Sequence, residues 1–131
     1  IHDAAPALAE LASASWDTGD AYFGPTTFQI SNIHGGTGAV NVVPGVLEVV
    51  FNFRFSPQSP ADSLRARVQG VLDRHGLDCD VAWTVSAEPF ITPAGPLVDA
   101  VSQAVALVTG RTPALSTSGG TSDGRFLATL A

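Results

Sequence analysis

The sequence predicts an α+β fold on three observations: hydrophobic runs that alternate with period two, helical runs punctuated at both ends, and turn residues clustered between them. At 131 residues, with an apolar share of 45%, the chain can bury a core of ordinary size.

The first helix is predicted over residues 3–15. Ala5, Leu8, Ala9, Leu11 and Ala12 recur there at helical spacing, with Asp3 placed to cap and Pro6 in the first turn. Residues 16–25 mix Asp, Gly and aromatic side chains and read as a loop. A strand follows over 26–33, with Phe28 and Ile30 on one face and Thr27, Gln29 and Ser31 on the other. If that regularity persists, His34 joins the face of Phe28 and Ile30. Gly35-Gly36-Thr37-Gly38 and the Pro44-Gly45 turn make residues 32–45 a wide hairpin connection. Residues 46–55 form the clearest strand, Leu47, Val49, Phe51, Phe53 and Phe55 pointing one way and Glu48, Val50, Asn52 and Arg54 the other. A second helix is bounded by Ser59 as N-cap, Pro60 at the first helical position, Asp62 completing a capping box, and Gly76 as stop. Leu64, Val68, Val71 and Leu72 make its apolar stripe. The run 78–87 then alternates Val81, Trp83 and Val85 against Asp80, Ala82 and Thr84, which predicts a third strand.

The order α-β-β-α-β is the split β-α-β, ferredoxin-like pattern without its first strand, a two-layer sandwich that one upstream strand would complete. Beyond Pro89 the character changes. Pro93-Ala94-Gly95-Pro96 marks a boundary, and a helix follows over 97–109 with Val98, Val101, Val105 and Val108 on one side and Gly110 as its end. An extended piece at 113–116 leads through a Gly-rich junction to a short helix at 125–130. The expected organisation is therefore one domain over 1–90 and a partial α/β segment over 91–131.

Composition excludes several functions. Twelve acidic residues stand against six Arg and no Lys, a net charge of −6, so no basic footprint exists for nucleic acid or an anionic membrane surface. No apolar run approaches the roughly 18–20 residues of a membrane span, and the start lacks the pattern of a signal peptide, so a soluble cytoplasmic protein is expected. Cys79 is the only cysteine, which excludes an intrachain disulfide and a cysteine-built zinc site; a half-buried strand position is its expected place. The chain starts at Ile1, contains no Met and stops at Leu130-Ala131 within an apolar stretch, which predicts a piece of a longer polypeptide.

Two constellations carry candidate chemistry. The first is Asn32-Ile33-His34-Gly35-Gly36-Thr37-Gly38 with Asn41 and Arg54: glycines admit a close ligand, an Asn amide donates to a carbonyl oxygen, and Arg grips a carboxylate with parallel hydrogen bonds. An ordinary glycine-rich hairpin loop with a surface Arg accounts for the same residues, and His34 suits a structural role as well as a functional one. The second is Gly119-Gly120-Thr121-Ser122-Asp123 before a helix, where free N–H groups favour anions. It lacks the Lys and spacing of a nucleotide P-loop, and a plain turn with an N-cap explains it equally. His2, His34 and His75 fall in different elements, so no metal site emerges from the chain.

The stretches Pro25-Thr26-Thr27-Phe28-Gln29-Ile30-Ser31-Asn32-Ile33-His34, Asn41-Val42-Val43-Pro44, Phe51-Asn52-Phe53-Arg54 and Gly119-Gly120-Thr121-Ser122-Asp123-Gly124-Arg125-Phe126 resemble the succinyl-diaminopimelate desuccinylases. These belong to the broad family of two-zinc peptidases and deacylases that includes carboxypeptidase G and acetylornithine deacetylase. The similarity spans essentially the whole chain. It implies that residues 1–90 are a dimerisation, or lid, domain and that 91–131 re-enter a catalytic domain. It implies hydrolysis of N-succinyl-L,L-diaminopimelate by a homodimer with two zinc ions whose ligands and general base lie outside this chain, so that the piece alone is inactive. Arg54 matches the lid arginine that binds a substrate carboxylate, and Asn41 the lid asparagine that reaches the other subunit's active site. Gly120 and Thr121 match a loop that contacts substrate, and His34 and Gly35 are further members of the substrate-binding set. Val40 departs from the family pattern, which often has a second Asn there. Two other readings remain: a free-standing ferredoxin-like module that binds a small acidic metabolite, and a dimerisation unit without a ligand. A tail after Pro93 argues against the first.

Overall fold

The computed structural model describes residues 1–117 and 123–127. The chain divides into two compact units, Ile1–Ala87 and Glu88–Ala131.

The first unit opens with α1 (Ala4–Ser13). Its start is closed by the Ile1 carbonyl, which accepts from the N–H groups of Ala4 (3.1 Å) and Ala5 (2.9 Å). Asp3 itself takes helical dihedrals and makes no side-chain cap. The expected cap fails because the backbone turn has already satisfied those donors. Ala7 and Leu11 are buried, whereas Ala5, Ala9 and Ala12 face solvent. In so alanine-rich a helix periodicity hardly constrains the buried face, and the longer Leu side chains decide it.

Two strands follow, β1 (Thr27–Gly35) and β2 (Leu47–Arg54), paired antiparallel as the only sheet among the described residues. The alternation expected for the second is present along its whole length, with Leu47, Val49, Phe51 and Phe53 half-buried and their neighbours exposed. In β1 the register shifts between Ile30 and Asn32, leaving Ser31 as a bulge.

After the sheet comes α2 (Ala61–Arg74), whose buried residues Leu64, Val68, Val71 and Leu72 are the stripe that periodicity indicates. Its start differs from expectation. Pro60 occupies the N-cap position and no side-chain cap bond forms, because the Ser59 hydroxyl donates to Asp17 Oδ2 at 2.5 Å instead. Asp62 pairs with Arg65 one turn along, at 3.0 Å. The far end behaves as the sequence indicates. Gly76 sits at φ +64, where a side chain would be strained, and lets its own N–H reach Asp73 O (3.0 Å) and that of Leu77 reach Leu72 O (3.1 Å).

Both helices cover one face of the hairpin. Ala7, Leu11, Trp16, Leu64, Val68, Val71 and Leu72 form the buried core, with Phe28, Phe51, Phe53, Phe55 and Trp83 packed against it. The aromatic rings interlock: Trp16 meets Phe53 edge-on at 4.6 Å, and Phe51 meets Trp83 at 5.4 Å. Glu10 ties the helices together by accepting from Arg74 and bonding His75 Nε2 at 2.8 Å.

The third strand expected over 78–87 does not form: this run joins no ladder, Cys79 is exposed rather than half-buried, and of the alternating residues expected inward Val81 and Trp83 are half-buried while Val85 is exposed. A groove of about 740 Å³ separates it from β2. The reason lies in the topology. A split β-α-β unit leaves one strand's width between the two strands its helix connects, so this run cannot reach β2 for pairing.

In the second unit, α3 (Pro96–Thr109) runs from Pro96 in its first turn to Gly110, whose N–H reaches Ala106 O at 2.8 Å. None of its residues is buried, and Leu97, Val101, Leu107 and Val108 are all more than half exposed. The four-residue α4 (Gly124–Leu127) starts one residue before the helix expected over 125–130 and overlaps its first three residues. No helix among the described residues is long and apolar enough to cross a membrane.

Candidate substrate-binding face

The candidate residues that can be described lie on the hairpin, and the Ser31 bulge decides which way they point. Cross-strand partners share a face. Before the bulge Phe28 pairs Phe53 and Ile30 pairs Phe51 on the core side; after it Ile33 pairs Val49 and Gly35 pairs Leu47 on that side. The extra residue therefore switches parity. His34 pairs Glu48 on the open face, not on the face of Phe28 and Ile30 as uninterrupted alternation indicates. The open face thus carries Thr27 with Arg54, Gln29 with Asn52, Asn32 with Val50, and His34 with Glu48. Local bonds stiffen it. Gln29 Nε2 donates to Thr27 Oγ1 at 2.6 Å, and Ser31 Oγ to Val50 O at 3.1 Å.

Arg54 ends β2 with its side chain exposed, and it has no hydrogen bond or ion pair among the described residues. In contrast, Arg65, Arg67 and Arg74 all have partners: Asp62, the carbonyls of Ser15 and Trp16, and Glu10. An unpaired guanidinium on a polar sheet face can take a carboxylate from outside. His34, Gly35 and Asn41 belong to the other end of the hairpin. Along β2 that end is roughly 20 Å from Arg54 at the rise of a strand. Asn41 lies in the connection between the strands, beside Val40, Val42 and Val43, all of them more than half exposed. The structure therefore brings His34, Gly35 and Asn41 to one end and leaves Arg54 alone at the other. Gly120 and Thr121 lie outside the described residues.

Sequence reasoning missed one polar cluster. In the loop after α1, Asp17 Oδ1 accepts from the N–H groups of Gly19 (2.9 Å) and Thr26 (2.8 Å), while Oδ2 accepts from the hydroxyls of Ser59 (2.5 Å) and Ser56 (3.4 Å). Thr26 Oγ1 accepts from Ser56 N–H at 3.2 Å. The available signal was Asp17 two residues before Gly19, an Asx-turn spacing. Gly19 is required there: it sits at φ +70, and a Cβ would meet Phe23 O at 2.5 Å.

Partial burial pushes the Asp17 carboxyl up, but the hydrogen bonds from Ser59, Thr26 and Gly19 outweigh it and hold the group far below its ordinary value of 3.8. Backbone N–H groups of Phe23 and Tyr22 lower Asp20 in the same loop. A carboxyl depressed by folding stabilises fully above its unfolded value, and that contribution is lost as pH falls through the folded value. Stability is therefore expected to drop as pH falls below about 4. Asp17→Asn is expected to lower stability at pH 7 by about 2 kcal/mol and to weaken the further loss on acidification. Urea unfolding followed by circular dichroism at pH 7 and pH 3 checks this; an undiminished acid loss in the variant would show that Asp17 is not its source.

Comparison with known proteins fits this frame. The family model described as "Peptidase dimerisation domain" matches residues 1–78, more than half of the chain. The chain belongs to this M20 dimerisation-domain family. Close relatives agree along the rest of the sequence. The succinyl-diaminopimelate desuccinylase of Nitrosospira multiformis is 62% identical over 99% of this chain, and that of Methylobacillus flagellatus 61% identical over all of this chain and 35% of its own length. The protein of the same name from Stutzerimonas stutzeri is 59% identical over 99%. The chain spans about a third of the length of these curated relatives, 34% of the first. An α+β unit with two helices on one face of an antiparallel hairpin is the architecture of this dimerisation-domain chain.

Among the described residues no three His, Cys, Asp or Glu side chains are grouped so as to hold a metal ion. His75 is engaged by Glu10, and His34 stands opposite Glu48 on the sheet. The described residues therefore do not fit a zinc centre.

Proposed function

We propose that this chain is the lid domain and part of the catalytic domain of an enzyme that hydrolyses N-succinyl-L,L-diaminopimelate to succinate and L,L-diaminopimelate. The observation that carries this reading is identity of about 60% with proteins of that name over essentially every residue of the chain. Residues 1–90 form the lid and 91–131 the re-entry into the catalytic domain; the division after Ala87 and the family match over 1–78 support that boundary. The parent enzyme works in the cytoplasm as a homodimer joined through the lid, with two zinc ions held by residues beyond this chain. This piece alone is inactive.

The chain's own contribution is binding and assembly. Arg54 takes a carboxylate of the substrate, which its exposed, unpaired guanidinium supports. Asn41 reaches the other subunit's site; its place in an exposed connection with Val40, Val42 and Val43, an apolar tip suited to burial against another surface, supports this. His34 and Gly35 flank that tip, and Gly120 and Thr121 contact substrate from the catalytic side. A strand preceding residue 1 in the parent fills the groove between β2 and residues 78–86, whose apolar floor and unpaired walls suit one more strand.

The test is hydrolysis by the zinc-loaded full-length protein of N-succinyl-L,L-diaminopimelate against N-acetylornithine. The succinyl substrate is expected to be preferred by at least about a hundredfold in kcat/KM, because an arginine site left without its carboxylate rejects the shorter acyl group. Equal activity on both, or on neither, overturns the reading.

A further inference from the structure

We infer that Asp17 is a positioning residue for Arg54, acting through a buried hydroxyl clamp that closes the open end of the hairpin. The inference rests on the reading of Arg54 as the carboxylate-binding arginine. Arg54 is the last residue of β2, and its partner Thr27 the first of β1, so the pair that must hold Arg54 steady is also the pair most prone to fray. Beyond it the next rung is built from side chains. The N–H of Ser56, two residues after Arg54, donates to Thr26 Oγ1, one residue before Thr27. Asp17 holds both strands of that rung at once: it accepts from the N–H of Thr26 and from the hydroxyl of Ser56. Its bond from Ser59 adds the chain entering α2.

The burial of this cluster is otherwise hard to account for. Thr26 is 4% exposed, Ser56 1% and Ser59 5%, the only polar residues buried among those described. Burying hydroxyls beside a carboxylate is unfavourable unless each group is satisfied, and apolar residues would pack that corner without the requirement. What the cluster adds is a fixed backbone at one end of the sheet, and the functional side chain at that end is Arg54. Gln58 strengthens it by donating from Nε2 to Gly19 O at 2.7 Å, which binds the Asp17 loop to the segment after β2.

The test uses the zinc-loaded full-length enzyme with N-succinyl-L,L-diaminopimelate and separates KM from kcat in a double-mutant cycle. Asp17→Asn is expected to raise KM about tenfold with kcat nearly unchanged, since a displaced arginine weakens ground-state and transition-state binding alike. In an Arg54→Ala background the same change is expected to leave KM where Arg54→Ala put it, because the residue being positioned is gone. Ser59→Ala, which removes one donor and keeps the carboxylate, is expected to give a smaller rise in the same sense and serves if Asp17→Asn fails to fold. Arg67→Ala, which releases the neighbouring loop by losing the bonds to Ser15 O and Trp16 O, is expected to lower stability without raising KM. A KM rise from Asp17→Asn that persists in the Arg54→Ala background, or no rise while Arg54→Ala has a large one, overturns the positioning role alone. No effect of Arg54→Ala overturns both the role and the site reading beneath it.

Discussion

Trp16→Ala is expected to destabilise the protein by about 4 kcal/mol, the largest loss foreseen for a single side chain here. Trp16 is only 7% exposed and lies where the loop after α1 turns back over the sheet. Its ring stacks on Phe28 at 5.9 Å and meets Phe53 edge-on at 4.6 Å. The Arg67 guanidinium lies over the same ring, 4.4 Å from its centroid, and also donates to Trp16 O at 2.6 Å. Truncation to Ala therefore opens a cavity among aromatic neighbours and strips the cation of its ring in one step. Trp16→Phe gives the necessary contrast. Trp16 Nε1 is buried without a hydrogen-bond partner among the described residues, so losing that N–H removes an unsatisfied group while most of the ring contact survives. The Phe variant is expected to lose only about 1 kcal/mol. Urea midpoints read by circular dichroism with an unchanged slope measure both, and equal losses for Ala and Phe would show that ring packing is not what Trp16 supplies.

Arg54→Ala in the full-length enzyme is expected to raise KM for N-succinyl-L,L-diaminopimelate roughly a hundredfold, the loss of a charge-assisted, two-pronged contact to a carboxylate. The rise should fall on KM far more than on kcat, because a carboxylate remote from the scissile amide is held equally in ground and transition states. Arg54→Lys is expected to recover only part of the loss, since an ammonium keeps the charge without the planar fork. Stability should hardly change: the Arg54 side chain is exposed and makes no hydrogen bond or ion pair with the described residues. A variant that loses stability and affinity together would point to a structural arginine, and an unchanged KM would leave a dimerisation unit with no part in binding.

Sequence pattern reached far into this fold where the controlling physics is local. The stripe Leu64, Val68, Val71 and Leu72 is the buried face of α2, because helical periodicity alone puts those positions on one side. Gly76 and Gly110 end their helices because a left-handed residue is needed there and glycine supplies it without strain. The alternation from Leu47 to Arg54 survives intact, and with it the outward direction of Arg54, because a half-buried strand has a period of two and nothing interrupts this one.

The rest depended on partners distant along the chain. Ser59 carries the local marks of an N-cap, yet its hydroxyl serves Asp17, 42 residues earlier, and no local rule weighs that competition. The run 78–87 alternates like a strand, but a strand needs a neighbour at hydrogen-bonding distance, and the topology holds β2 one strand away. His34 changes faces because a single extra residue at Ser31 reverses the parity of everything after it in β1. Local propensity and period thus determined by themselves the helices, the inner face of β2 and the exposure of Arg54. Only the tertiary structure decided which face His34 joins and which hydroxyls clamp the end of the sheet, because both depend on groups that meet only once the two strands are in register and the loop after α1 has folded back upon them.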